Sequence, residues 1–121
     1  MSIKGRLSPA MRGKLIWTSP VITFVTRGEL GKWMLAHNMG RSRRSEVMSW
    51  IAQTSFLAGT MPVAEIFGEL AAAAQRRGRP RPQNDTWIAA CCLARRLPLA
   101  TFNVKDFQDF AEHRGLELIT V

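Results

Sequence analysis

Pro82-Gln83-Asn84-Asp85-Thr86-Trp87-Ile88-Ala89-Ala90, followed by Leu97-Pro98-Leu99-Ala100-Thr101-Phe102-Asn103-Val104-Lys105-Asp106-Phe107, decides the reading of this chain. Asn84 can cap a helix from Asp85 to Arg96 with Ile88, Ala89 and Cys92 facing inward. Asp85 then falls in the first turn, where the helix dipole favours a carboxylate. Leu97 to Phe102 reads as a buried strand and Val104 to His113 as a short helix, so Asp106 follows a strand end.

Working outward, Gly78 to Gln83 holds Pro80 and Pro82 and must be a loop. Before it, Pro62 suits the first position of a long helix to Arg77, closed by Gly78. Its inner face is Val63, Ile66, Phe67, Leu70, Ala73 and Ala74. Phe56 to Met61 is a short apolar piece that predicts a strand. A helical segment precedes it, with Val47, Trp50, Ile51 and Thr54 or Ser55 as its stripe, entered through a basic loop, Gly40 to Arg44.

Further upstream, Leu15 to Val25 is rich in β-branched and aromatic residues and predicts a strand, bent or at an edge because of Pro20. Glu29 follows it at an expected strand-to-helix junction, opening a helix on which Leu30, Trp33, Met34 and His37 recur at helical spacing. Met1 to Lys14 is polar and basic without a period, a loop or short helix. Leu116 to Val121 predicts a last strand. Strands alternating with helices imply an α/β fold with a largely parallel sheet.

A chain of 121 residues with 46% hydrophobic composition has room for one modest core. No stretch is apolar enough for a membrane span and the N-terminus lacks the apolar core of a signal peptide, so a cytoplasmic protein is expected. Cys91 and Cys92 are adjacent and point apart on a helix, which offers neither a disulfide framework nor a zinc site. The net charge of +8 is uneven. Residues 1–60 carry nine Lys or Arg against Glu29 and Glu46, whereas residues 61–121 carry eight against seven acids. Such a field favours a polyanion as partner or substrate.

In an open parallel sheet, functional residues gather where strands end. Glu29, Asp85 and Asp106 fit that placement and could form one oxygen-rich pocket, suited to a hard cation such as Mg2+ or Mn2+ that activates water beside a phosphate. Spacing alone leaves a second reading open for each: Glu29 and Asp85 as residues favouring a helix N-terminus, Asp106 as a loop cap.

The two quoted segments, their order and their separation resemble the C-terminal half of PIN domains, specifically the VapC-like toxin ribonucleases. There an Asn-Asp-x-x-Ile-Ala-Ala helix start is followed by a hydrophobic strand ending in Thr-x-Asn-x-x-Asp-Phe. Gly28-Glu29-Leu30 resembles the segment carrying that family's Glu, and Phe67-Gly68-Glu69-Leu70 through Gly78-Arg79-Pro80 resembles the helix and loop before its catalytic Asp. The resemblance runs from about Leu15 to Val121. It implies a three-layer PIN-like (5′-nuclease-like) α/β fold and a Mg2+- or Mn2+-dependent endoribonuclease, the toxin of a type II toxin–antitoxin system. Asp85 and Asp106 would hold the ion, Glu29 would complete the pocket and orient water, and Thr101 and Asn103 would support it by hydrogen bonds. The implied partners are RNA and a cognate VapB-like antitoxin.

The chain departs from the family at its start. No Asp precedes Asp85, whereas the family opens on a strand ending in Asp-Thr-Asp or Asp-Thr-Asn. Met1 to Pro9 looks like the stretch after that strand, so residues 1–121 are expected to form one N-terminally incomplete domain with the first strand missing and its neighbours closing on each other or leaving a gap. A catalytically impaired remnant that binds RNA or antitoxin is the rival. A receiver-like signalling domain would need an acidic pair beside a phosphoacceptor Asp, and none occurs. Arg41, Arg43, Arg44, Arg79 and Arg81 are the candidate RNA contacts, and Arg76 and Arg77 lie in the same basic stretch. Trp33, Trp50 and Trp87 are expected in core or interface, and the large Trp and Met supply suggests a homodimer or an antitoxin-covered surface. His37 and His113 show no partners at metal-ligand spacing, and Asp109 and Glu112 are expected on a solvated helix face.

Overall fold

The computed structural model describes residues 2–3, 21–101 and 103–120. Its elements are β1 (Ser2–Ile3), β2 (Val21–Thr23), α1 (Phe24–Ala36), α2 (Arg41–Ala52), β3 (Ser55–Leu57), α3 (Met61–Arg76), α4 (Gln83–Arg95), β4 (Leu99–Thr101), α5 (Val104–Arg114) and β5 (Leu118–Thr120). The strands form one five-stranded sheet in the order β3-β2-β1-β4-β5, and every pairing is parallel. Parallel neighbours need crossover connections; α1 and α2 supply the one from β2 to β3, and α5 the one from β4 to β5. The architecture is the α/β fold with a parallel sheet that the alternation of strands and helices implied.

The expectation of an empty central position is overturned. Ser2 pairs with both Val21 and Leu99, and Ile3 with Ala100, so β1 lies between β2 and β4. The segment assigned to the stretch beyond the first strand itself serves as the central strand, which supplies partners to backbone groups on both neighbours. It brings no carboxylate with it. Residues 4–14 of the expected opening loop or short helix, and residues 15–20 of the strand expected over Leu15 to Val25, lie outside the described residues; the described part of that strand is Val21–Thr23.

Downstream of β1, the helix boundaries follow from local chemistry. Thr23 ends β2 with extended backbone, and its hydroxyl oxygen accepts the Thr26 N–H at 3.1 Å, capping α1. α3 places Pro62 in its first turn, where a missing N–H costs nothing. It stops at Gly78, which takes the left-handed φ of 70°. There Gly78 N–H bonds the Gln75 carbonyl and Arg79 N–H that of Ala74, closing the C-terminus.

α4 starts one residue before its expected Asn84 cap. Pro82 is extended and its carbonyl accepts both the Thr86 N–H at 3.0 Å and the Thr86 hydroxyl at 2.9 Å, so the first turn forms without a side-chain cap. This helix is the centre of the core: Ile88, Ala89, Ala90, Cys91 and Cys92 are all fully buried. Around them pack Val63 and Leu70 of α3, Leu99 of β4, Phe107 and Phe110 of α5, and Leu116. Each large apolar side chain so buried contributes on the order of 1.5–3 kcal/mol.

Another correction concerns Gly40 to Arg44. Gly40 caps a helix that begins at Arg41, so Arg41, Arg43 and Arg44 occupy the first turn of α2 and not a loop. α2 buries none of its residues; Val47, Trp50 and Ile51 are half-buried. No helix among the described residues is long and apolar enough to cross a membrane.

Candidate functional site

Strands β1 to β5 all run the same way, so their C-terminal ends share one edge of the sheet. Asp106 reaches that edge from β4: Thr101 ends the strand, and Asp106 lies in the first turn of α5, its N–H bonding the Asn103 carbonyl at 3.0 Å. Asp85 reaches it from the other direction. The end of α4 feeds the start of β4 through a short turn, which leaves the beginning of α4, and Asp85 with it, at the C-terminal edge.

Glu29 is not at a strand-to-helix junction as expected. The Thr23 cap starts α1 at Phe24, which puts Glu29 in the second turn, roughly 7–8 Å along the axis from the helix start at about 1.5 Å per residue. Helix side chains tilt toward the N-terminus, which directs Glu29 back toward the same edge.

Packing joins the two helices that bear Glu29 and Asp85. The Trp87 ring, two residues past Asp85, stacks on Phe67 with centroids 3.8 Å apart and planes 14° apart. It also meets the Phe24 ring at 5.8 Å and 72°. One indole thus pins α4 to α3 on one side and to α1 on the other. Gly59 permits this: a Cβ there would approach within 3.1 Å of the Phe24 ring.

The carboxylates differ in surroundings. Asp85 is 4% exposed, an expensive place for a charge unless partners or a cation accompany it. Glu29 is half-buried, and its Oε1 is covered with no hydrogen-bond partner. Asp106 is half-buried. Carboxylate oxygens, one of them buried and lacking a donor, suit a hard divalent cation. The three do not form a tight cage, however. Among the described residues, the group of three ligand-type side chains with ligand atoms within 4.8 Å of one another is Asp109, Glu112 and His113, not Glu29, Asp85 and Asp106. A cation that retains waters can bridge wider gaps than a bare one.

Thr101 is 1% exposed, and its hydroxyl oxygen accepts the Asn103 N–H at 3.0 Å, fixing the turn that delivers Asp106. The Asn103 side chain makes no cap to α5 and is exposed. Sequence reasoning missed three features. The first is the fully buried Thr23 and Thr26 pair, with hydroxyls 3.2 Å apart; the signal was a Thr-x-x-Thr run at a strand end. The second is the partial burial of Arg81, named as an RNA contact from the sequence, whose Nε is covered without a partner. The third is the Asp109 cluster, which corrects the expectation of a plainly solvated face and an isolated His113. Asp109 accepts from Arg77 at 2.8 Å and lies 3.6 Å from His113 Nε2, tying the end of α3 to α5. The i, i+3, i+4 spacing of Asp109, Glu112 and His113 is the signal that identifies their common face.

Among the expected RNA contacts, Arg41, Arg43, Arg44 and Arg79 are exposed and Arg81 is half-buried. Arg41 borders an open hollow of about 840 Å3 along α2, with Ser45, Glu46, Ser49 and Trp50. None of the three carboxylates lines it.

No protein-family model matches the chain, and no curated protein matches it. Its fold matches solved toxin–antitoxin structures. VapBC-5 from Mycobacterium tuberculosis superposes with a TM-score of 0.72 at 28% identity, covering 84% of this chain and 82% of that one. VapBC2 from Rickettsia felis, bound to a DNA fragment from its promoter, gives 0.84 at 16% identity over 99% and 97% of the two chains. VapBC-1 from nontypeable Haemophilus influenzae gives 0.74 at 24% identity over 92% and 82%.

Proposed function

We propose that this chain, a PIN-like domain of the VapC type, is a divalent-metal-dependent endoribonuclease and the toxin half of a toxin–antitoxin pair. The observation that carries the reading is Asp85: a carboxylate 4% exposed, at the C-terminal edge of a parallel sheet, on a helix packed against the one bearing Glu29. Asp85 and Asp106 are the residues that would hold Mg2+ or Mn2+, with Glu29 completing the oxygen set. Such an ion polarises a phosphoryl oxygen and makes water a stronger nucleophile. The chain's own contributions are separate. The Glu29 carboxylate, half-buried, would complete the pocket and help orient the attacking water, and Thr101 holds the turn bearing Asp106. Arg41, Arg43, Arg44, Arg79 and Arg81 offset the charge of an approaching RNA backbone.

The partner reading is a VapB-like antitoxin, together with self-association into a homodimer. Its support is the exposure of large apolar side chains, Leu35 at 68%, Met61 at 70% and Phe56 at 56%, since surfaces of this kind are normally covered.

Purified chain incubated with RNA and Mg2+ or Mn2+ tests the activity. Cleavage is expected to stop with EDTA and to fall in Asp85→Asn by more than about a hundredfold, the upper end of what loss of a merely supporting partner costs. Cleavage that survives both changes refutes the assignment. Because β1 supplies no carboxylate, the second reading is a binding module. RNA or antitoxin binding without cleavage by wild-type chain selects it.

A further inference from the structure

Asp109, Glu112 and His113 stand at i, i+3 and i+4 toward the end of α5, a spacing that sets all three on one helix face. Phe107 and Phe110 are buried and fix the helix on the core, while Asp109 is half-buried and Glu112 and His113 are exposed. Gly115 closes the helix just beyond them with a left-handed φ of 70°. The partial negative charge of a helix C-terminus favours a cation at that end.

The geometry departs from that of a plain ion pair. Asp109 Oδ2 accepts from Arg77 at 2.8 Å, whereas Asp109 Oδ1 lies 3.6 Å from His113 Nε2, too long for a hydrogen bond. Two ligands bound at about 2.0–2.1 Å to one tetrahedral ion stand about 3.3 Å apart. The oxygen and the nitrogen are therefore spaced to share an ion. Each of the three residues offers a ligand atom within 4.8 Å of the other two. Glu112, whose contact with Gln108 Nε2 is a long 3.5 Å, can close the remaining distance by side-chain rotation.

Arg77 supports this arrangement. Its guanidinium takes Oδ2 and leaves Oδ1 toward His113, which orients Asp109 as an outer hydrogen-bond partner orients a metal-ligating carboxylate. Two carboxylates against one guanidinium leave the face net negative in a chain of net charge +8. One imidazole nitrogen with two carboxylate oxygens suits Zn2+ and its transition-metal neighbours, whereas Mg2+ and Ca2+ take oxygen ligands. The donor set thus differs from that of Glu29, Asp85 and Asp106, which is oxygen alone.

We propose that Asp109, Glu112 and His113 form a Zn2+ site on α5, separate from the sheet edge, with water in the fourth position. Because Arg77 holds Asp109 from the end of α3, the bound ion also braces α3 against α5.

Isothermal titration of Zn2+ into the metal-free 121-residue chain, with excess Mg2+ occupying oxygen-only sites, reads the site directly. One Zn2+ per chain is expected. His113→Ala should weaken binding by more than about a hundredfold, the upper end of what loss of an outer partner costs, and Glu112→Gln by at least about tenfold. Asp85→Asn should leave the Zn2+ affinity unchanged. In proton–nitrogen correlation spectra of the imidazoles, Zn2+ should shift Nε2 of His113 and leave His37 unmoved. Zn2+ should raise the melting temperature of the wild type and not that of His113→Ala, since an ion held by the folded chain alone stabilises it.

Zn2+ affinity that survives His113→Ala overturns the proposal, as does a shift at His37 in place of His113, or binding lost in Asp85→Asn. Absence of a saturable Zn2+ event reduces the cluster to an Asp109–His113 ion pair and overturns it too. The imidazole spectra use the wild-type chain, so they decide even where a variant unfolds. RNA cleavage enters none of these readouts, and the site stands or falls apart from the ribonuclease reading.

Discussion

Replacing Trp87 by alanine should remove the pin that holds α4 between α1 and α3. The indole stacks on Phe67 at 3.8 Å and meets Phe24 edge-on at 5.8 Å. Truncating a fully buried Trp costs about 3–5 kcal/mol, and because Trp87 keeps part of its surface in solvent the lower end, about 3 kcal/mol, applies. Aromatic pairs contribute about 0.5–1.5 kcal/mol each beyond area, so the two ring contacts make up a large share of the loss. Against a total stability of roughly 5–15 kcal/mol, the variant remains folded but marginal, with a melting temperature lower by about 10 °C. Urea unfolding of Trp87→Ala, Phe67→Ala and the double variant gives the coupling, expected near 1 kcal/mol for rings in contact. A single-variant cost below about 1 kcal/mol, or additive effects in the cycle, would falsify the claim that this ring joins the helices.

Thr23→Val keeps the volume but removes the oxygen that caps α1 and meets Thr26; a loss of about 1–2 kcal/mol is expected by urea unfolding, and a neutral result means the cap contributes nothing. Arg96 holds a left-handed φ of 54° at the end of α4, so Arg96→Gly should stabilise by about 1 kcal/mol through relief of the side-chain penalty; a lower melting temperature contradicts this. Burial pushes the Cys91 thiol from 9.0 up to about 11, with Arg95 acting weakly the other way. Above about pH 9 the unfolded thiol ionises while the folded one stays protonated, so the contribution of Cys91 to stability is complete below that pH and declines as pH rises toward 11. Cys91→Ala should flatten this alkaline slope, and an unchanged slope assigns it to other groups.

The long amphipathic segments were the most legible. Val63, Leu70 and Ala74 are buried on α3, on the face their spacing indicates, and Pro62 and Gly78 bracket that helix because their backbones permit little else. The quoted stretch likewise places Asp85 and Asp106 at the edge of the sheet. What escaped was set by partners distant in sequence. Ser2 and Ile3 have no strand signature of their own and take extended form between β2 and β4, where two neighbours supply the hydrogen bonds. The helical start at Phe24 was hidden by β-branched residues that favour a strand until the Thr23 hydroxyl is counted as a cap. Asn84 was a reasonable capping residue, but the helix starts one residue ahead of it, at Gln83, with Pro82 at the cap position and no side-chain cap. Residues at the expected junctions could be named from their order along the chain, whereas the spread of their carboxylates depends on how α1 leans on α4, which no local pattern encodes.

α2 has a dynamic consequence. Its first turn carries Arg41, Arg43 and Arg44 with no acidic residue, a charge arrangement that opposes the helix dipole, and no buried side chain compensates. A helix of 12 residues is marginal without tertiary packing. Its amides therefore exchange with solvent hydrogen through local opening that requires far less free energy than unfolding the core around α4. Trypsin, which cuts after arginine, should nick this helix first while the sheet and α4 remain intact. A bound partner lying across it would register as protection at those same three bonds.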